Sequence, residues 1–496
     1  MTAVEKRFAL NVAQLRNLRN WAADDLVDKT IPVVVRPPRP TPPAEAAAAV
    51  RALVGRHEAL RSRLAGAEQV VLTTEEIDVE CGTETPGGPV PVAPDERACR
   101  AFLLLREGKV DTVTLTVSHV FTDAFGVQAL ARDLTSLLAG EPVAPQPRQA
   151  SDYADGPEAP RVRENTAYWR ELLGGAPRAC TYSGVERDEY EKVEIAQEPL
   201  TPELDALVAT TCRALGVTAH AVWGGVVSAL VSRLCGRHGQ VFRSTYANRF
   251  TPADLGAVTQ LAQAVYLPID GEADDTVRAR VERVARTSFA TLDRGTYDAN
   301  ALLDWLNSGA GAVFQPAFEL NYVPAGRGAT PAAPEPRRVE VNDVRIDPPS
   351  AKADLAVTVS HLPGAVVRVA ARRPVSRQRG ARDLSAACLT ILEALSSDPD
   401  TPIGELPIEP FPATATLRGG HHTGVAVDAD STTRLVTSVP GILACRLEFH
   451  DRRVLATVTT REPVTPTGLR AVLARRQPWF SGAVVPDDFV IDDSPR

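Results

Sequence analysis

The sequence predicts an α/β (α+β) chain in which strands and helices alternate, and three observations predict it. Residues 113–138 (VTLTVSHVFTDAFGVQALARDLTSLL) read as a strand running straight into an amphipathic helix. Val113, Leu115 and Val117 alternate with Thr114, Thr116 and Ser118, and Leu130, Leu134, Leu137 and Leu138 then follow helical spacing. Residues 187–200 read as a second strand, followed by the helix TPELDALVATTCRALG, where Thr201 before Pro202 and Glu203 is a good start signal. Residues 219–237 are apolar nearly all round, the mark of a buried helix. A faint echo, TLTVSHVF at 114–121 against AVTVSHLP at 356–363, suits a fold built from two similar halves.

The remaining elements follow in order. Residues 36–44 (RPPRPTPPA) are too rich in proline for a helix or central strand and form a loop before a helix over 44–64. Residues 85–96, 142–150 and 324–338 are loops by their proline and glycine content. The second half closes near residue 408, and 411–424 (FPATATLRGGHHTG) is the best linker before a tail. The paired His421 and His422 are read as part of that solvated linker rather than as metal ligands.

Composition narrows the function. A chain of 496 residues can hold two or three units with their own cores. With 44% hydrophobic and 23% charged residues it reads as an ordinary soluble protein. The formal net charge of -8 argues against a nucleic-acid partner, which needs a basic face, but leaves room for an acidic partner on a local basic patch. No apolar run is long enough to span a bilayer and the N-terminus does not read as a signal peptide. The seven cysteines are scattered, odd in number and without a Cys-x-x-Cys pair, so reduced thiols and a cytoplasmic location are expected.

His119 and Asp123 stand at the strand-to-helix junction and are the candidate catalytic residues. A histidine at a strand end can face a cleft and take a proton near neutral pH. Asp123 four residues on is placed to cap the helix, to orient the loop or to pair with a cation. His361, in the echo, has no carboxylate four residues later and precedes Pro363-Gly364, so it reads as a strand-end surface residue.

Several segments, in order and spacing, resemble the condensation domains of nonribosomal peptide synthetases, within the chloramphenicol-acetyltransferase-like superfamily. LNVAQLRNL (10–18) resembles the family's Ser-x-Ala-Gln-x-Arg-Leu opening, and GRHEALRSRL (55–64) its Arg-His-Glu-x-Leu-Arg segment. SHVFTDAFG (118–126) stands at the place of the His-His-x-x-x-Asp-Gly motif. SDYAD (151–155), AYWRELLGGAP (167–177), YANRF (246–250), FELNYVP (318–324) and KADLAVTVSHLPG (352–364) match further stretches. The departures are Ser118 for the first histidine, Ala124 for the glycine, with a glycine only at Gly126, and a poor fit over 254–270. The tail from 421 is similar to the small C-terminal subdomain of adenylation domains, without that subdomain's terminal lysine.

The resemblance implies two chloramphenicol-acetyltransferase-like half-domains, 1–178 and 179–410, forming a V-shaped pseudo-dimer, plus a small α+β subdomain over 421–496. It implies a free-standing condensation enzyme with no permanently bound cofactor. The donor would arrive as an acyl or aminoacyl thioester on the phosphopantetheine arm of an acyl or peptidyl carrier protein acting in trans. A small-molecule amine or alcohol would accept it. His119 would serve the chemistry, and Asp123 would pair with Arg56 or Arg61. Ser118, Gly126, Asn248 and Ser360 are possible site-lining residues. Two other functions stay open: an acyltransferase using acyl-coenzyme A or a soluble acceptor, and a non-catalytic recruiting protein.

Overall fold

In a computed structural model, the strand and helix periodicities resolve into sheets, helices and, among the described residues, three larger apolar cores. The structure describes residues 4–492 apart from 24–29, 74–76, 85–91, 146–147, 175, 177–189, 237, 273, 308–313, 315, 325–337, 346–352, 362–364, 377, 412–420, 423–424, 427–428, 451–452, 462 and 477–482. The loops expected over 85–96 and 324–338, and Pro363-Gly364, therefore fall wholly or largely outside the described residues.

The first half is built on a four-stranded sheet in the order Thr30–Val35, Lys109–Ser118, Cys99–Arg106, Val79–Gly82. Val113, Leu115 and Val117 are fully buried, as the alternation required. The helix Ala124–Ala139 lays Leu130, Leu134 and Leu138 against the same core. A three-stranded antiparallel sheet, Val4–Ala9, Glu68–Leu72 and Ser62–Ala65, completes this half.

The helix expected over 44–64 is shorter than its periodicity suggests. It runs Pro43–Arg56, a short turn of 3-10 helix follows over Glu58–Arg61, and Ser62 already belongs to a strand. His57 breaks the helix with an extended backbone (φ -112°, ψ 116°). The cause lies in where its charged neighbours go, set out below.

The second half has a seven-stranded mixed sheet, in the order Gln263–Ile269, Gln240–Tyr246, Phe318–Val323, Leu355–Ser360, Val366–Arg372, Tyr190–Pro199, Arg338–Arg345. The helix Ala219–Cys235 crosses its core, and its residues from Ala221 to Ser232 are all buried. Gly225 lets this helix touch the helix Val277–Thr291: an added Cβ would sit 2.7 Å from the Val281 Cα and 2.9 Å from its nitrogen. No single described helix is long and apolar enough to cross a membrane. The tail forms a third unit. Its strands Ile442–His450, Arg453–Thr460 and Asp488–Asp492 pack with the helices Ala429–Thr437 and Pro466–Arg476 around Leu435, Val458 and Leu473. His421 and His422 pair with Ala426 and Val425 in a short antiparallel ladder rather than lying in an irregular linker.

The two larger halves exchange segments. The helix Pro160–Leu173 buries Trp169 and Leu173 in the second core, and the Trp169 indole donates to the Arg294 carbonyl (2.8 Å). In return, the stretch between the strands Gln240–Tyr246 and Gln263–Ile269 reaches back over the first half, where Val258 joins the first core. The Asn11 amide donates to the Gln260 carbonyl (3.1 Å), and the Tyr153 hydroxyl donates to Asp254 (2.7 Å).

Gly225→Ala should cost about 1–3 kcal/mol, because backbone atoms of Val281 must give way. A drop in the denaturant midpoint at unchanged m-value measures it.

Candidate active site

His119 follows the last residue of the strand Lys109–Ser118 and is partly exposed. Its loop is clamped from the helix Val12–Ala23. The Asn17 amide donates to the His119 carbonyl (3.1 Å), and the Gln14 amide donates to the Val120 carbonyl (3.2 Å). The ring is oriented from both halves: Nδ1 lies 2.9 Å from the Thr122 carbonyl oxygen and 3.1 Å from Gln260 Oε1. Gln260 Nε2 donates to the Ala262 carbonyl (2.6 Å), which fixes its oxygen toward the ring. Both neighbours of Nδ1 are acceptors, so Nδ1 carries the proton in the neutral tautomer, which leaves the Nε2 lone pair free. Among the described residues nothing hydrogen-bonds Nε2. The same two oxygens would also stabilise the ring with a proton on Nε2.

Asp123 does not touch this ring. It is 1% exposed, and its oxygens are saturated. Oδ1 accepts the backbone N–H groups of Phe125 and Gly126 (both 3.1 Å), capping the helix. Oδ2 accepts Arg249 Nη1 (2.8 Å) and the N–H groups of Leu261 (3.0 Å) and Ala262 (2.9 Å). Burial alone would raise its pKa. The Arg249 charge, the Arg249 hydrogen bond and the two backbone donors outweigh burial and hold the carboxyl below its usual range. Capping and pairing are thus both realised, one on each oxygen, and Asp123 ties the start of its helix to the segment 249–262.

The partner expected for Asp123 was Arg56 or Arg61, and the structure corrects this to Arg249. Arg249 lies in YANRF, and its side chain has no exposed surface. Arg56 Nε and His57 Nε2 instead reach Asp133 (3.0 and 3.1 Å), ten residues along the motif helix and so about 15 Å from its start. Arg61 pairs with Glu5 and donates to the Leu72 carbonyl, while Glu58 accepts from Lys6 and from the Ser151 N–H. The polar side chains of residues 56–61 thus divide among three structural anchors, Asp133 for Arg56 and His57, Lys6 for Glu58 and Glu5 for Arg61, which ends the helix at Arg56. The segment braces the half-domain.

The other expected lining residues also find their places. Ser118 is fully buried, and its hydroxyl has no hydrogen-bond partner among the described residues, so it lies beneath the motif loop and not on a cleft wall. Gly126 is required by close approach: a Cβ there would sit 2.2 Å from the Thr122 hydroxyl oxygen. Asn248 adopts a left-handed backbone (φ 53°) and donates to the Leu261 and Gly295 carbonyls (2.8 and 3.1 Å), steering the crossing segment. Ser360 ends its strand opposite Val323 and Val366, and no described contact joins it to His119. His361 does meet a carboxylate, from a distant helix: Nε2 lies 3.3 Å from Asp205, and Nδ1 lies 3.1 Å from the Val323 carbonyl.

A family model for the condensation domain matches residues 95–413, well over half of the chain. Among curated relatives, the probable non-canonical nonribosomal peptide synthetase CymA of Salinispora arenicola (strain CNS-205) is 26% identical over 350 residues, covering 63% of this chain and 4% of that protein. The hybrid PKS-NRPS synthetase LUC5 of Fusarium sp. is 23% identical over 233 residues, covering 45% of this chain and 6% of its own. The chain thus spans a small part of the curated relatives it matches. Among solved structures, the SgcC5 protein from Streptomyces globisporus superposes with a TM-score of 0.61 at 17% identity, covering 79% of this chain and 100% of that one. The first condensation domain of the calcium-dependent antibiotic synthetase, in complex with a substrate analogue, gives a TM-score of 0.61 at 17% identity, covering 82% and 100%.

The buried ion pair should show as a coupling energy. Asp123→Asn and Arg249→Gln should each cost about 3–5 kcal/mol, and the double variant clearly less than their sum. Asp123→Asn combined with Arg61→Gln should be additive within about 0.5 kcal/mol. Chemical denaturation of the cycle reads both. Acid stability provides a separate measurement. Burial opposes ionisation of Asp254, but hydrogen bonds from Tyr153, Thr251 and the backbone hold its pKa at about 2 against an ordinary 3.8. A depressed folded-state value contributes stability above the unfolded value and loses it as pH falls through the folded one. Asp254→Asn should therefore remove about 2 kcal/mol of the pH dependence between 3.8 and about 2, read from denaturant melts across that window.

Proposed function

The chain belongs to the condensation-domain family, and on that premise we propose that it transfers an acyl or aminoacyl group from a carrier protein's phosphopantetheine thioester to an amine or hydroxyl acceptor. The observation that carries the reading is the held imidazole: Nδ1–H is fixed by acceptors from both halves, while Nε2 is left for a substrate proton.

In this reading the acceptor's N–H or O–H lies against His119 Nε2. As the nucleophile attacks the thioester carbonyl, its proton passes to Nε2. The C–N or C–O bond forms, the C–S bond breaks, and the pantetheine sulfur leaves as the thiol once it recovers that proton. A thioester is already activated, so holding two substrates in line supplies much of the rate. Within these 496 residues there is neither a carrier serine motif nor an adenylation core, so the carrier lies outside them. In this reading it is a separate partner acting in trans. The tail, with its own core, is in this reading an accessory docking unit. The orientation of the ring speaks for transfer over a purely recruiting role, which would leave His119 without a task.

His119→Ala should lower product formation at least a hundredfold, the usual worth of a positioned acid–base group being about 10²–10⁴-fold. Its thermal midpoint should stay near the parent's. Intact-mass analysis of acyl-loaded carrier incubated with acceptor reads the loss, and turnover near the parent rate would refute the assignment.

A further inference from the structure

One face of the seven-stranded sheet carries an unbalanced charge. Phe242, Leu320 and Val357 are buried in the second core, whereas the alternating residues Arg243, Glu319, Asn321 and Thr358 are only partly buried. Strand register sets Tyr266, Arg243 and Glu319 side by side in one row. Arg243 pairs with Glu319, and these side chains are 20% and 21% exposed.

From the first half, Arg16 of the helix Val12–Ala23 comes to the same place. It sits within the fields of Tyr266, Arg243 and Tyr297. Among the described residues it pairs with no carboxylate, and its hydrogen bond is a long one (3.4 Å) to the Asn300 side-chain oxygen. One turn further along, Arg19 makes a two-pronged pair with Asp304 (2.7 and 3.1 Å). The facing helix Ala299–Asn307 therefore offers a carboxylate to Arg19 and a neutral amide to Arg16. The contact between these helices already has its ion pair, so Arg16 is not needed for one. Burial, joined by the like charge of Arg243, pushes the Arg16 pKa below its ordinary value, while burial keeps Tyr297 neutral. The group sums to two cations against one anion. A poorly solvated guanidinium without a counter-charge is costly. It lies next to the catalytic loop, since the adjacent Asn17 holds the His119 carbonyl.

We propose that Arg16, backed by Arg243, binds a carboxylate on the acceptor, so that the acceptor is an amino acid or hydroxy acid with its acid group free. The term acceptor rests on the transfer reading above. Tethering as a thioester consumes the carboxylate of a monocarboxylic amino or hydroxy acid, so an acceptor of that kind with its acid group free is a small soluble molecule and not a second carrier-bound group.

The test is calorimetric titration of the full chain at low salt with glycine, β-alanine and 3-aminobenzoate, each against its primary amide. At least one acid should bind roughly tenfold or more tighter than its amide, as a charge-assisted, two-pronged contact requires. Arg16→Gln should abolish that preference. Glu319→Gln, which removes the one carboxylate of the group, should enlarge it. Thermal melts check that the variants are folded, and the acid–amide comparison on the parent protein stands without them. A panel in which no acid exceeds its amide, or a preference that survives in folded Arg16→Gln, overturns the proposal. Binding needs no turnover, so His119→Ala should keep the preference, and failure here is separable from failure of the transfer reading.

Discussion

The buried carboxylate of Asp123 is the constraint on which the site depends. It takes five hydrogen bonds, two from the start of its own helix and three from the second half. Removing such a group from water is expensive, and only a full set of donors with one cation offsets the cost. The closure is therefore all or nothing. With Arg249, Leu261 and Ala262 in place, Gln260 is brought to His119. Thr122 is folded back beneath Gly126, so that its carbonyl meets the same ring nitrogen. The His119 ring is thus set by a carboxylate that it never touches.

Much of this is legible in the sequence, and the failures share a cause. Period-two alternation locates the motif strand, and helical spacing locates the motif helix, because burial on one face imprints those periods directly. The order of short segments points to the family. What the sequence hides are contacts between distant positions. Asp123 and Arg249 stand 126 residues apart, and no local pattern links them, although YANRF resembles a family segment in its own right. Gln260 lies in the stretch that fits the family least. The helix expected over 44–64 is too long because its apolar spacing continues past the point where Arg56 and His57 are drawn to Asp133, Glu58 to Lys6 and Arg61 to Glu5.

The echo between the halves shows how one fold holds two histidines in different states. His119 and His361 each end a strand after a serine, and each turns Nδ1 toward a backbone carbonyl. They differ at the second nitrogen. In the first half it has no described partner; in the second, Asp205 stands 3.3 Å away. With a carboxylate there, the second histidine serves as a tie between a helix and a sheet.

The exchange of segments sets a rule for recombining such proteins. The helix Pro160–Leu173 is anchored by Trp169 in the second core, and the stretch around Val258 is anchored in the first. A chimera joined at the apparent midpoint of the chain would pair each lobe with a foreign insert and leave both cores with mismatched plugs. Splice points that respect packing lie before residue 160 and on either side of the returning stretch, so that every borrowed piece travels with its host.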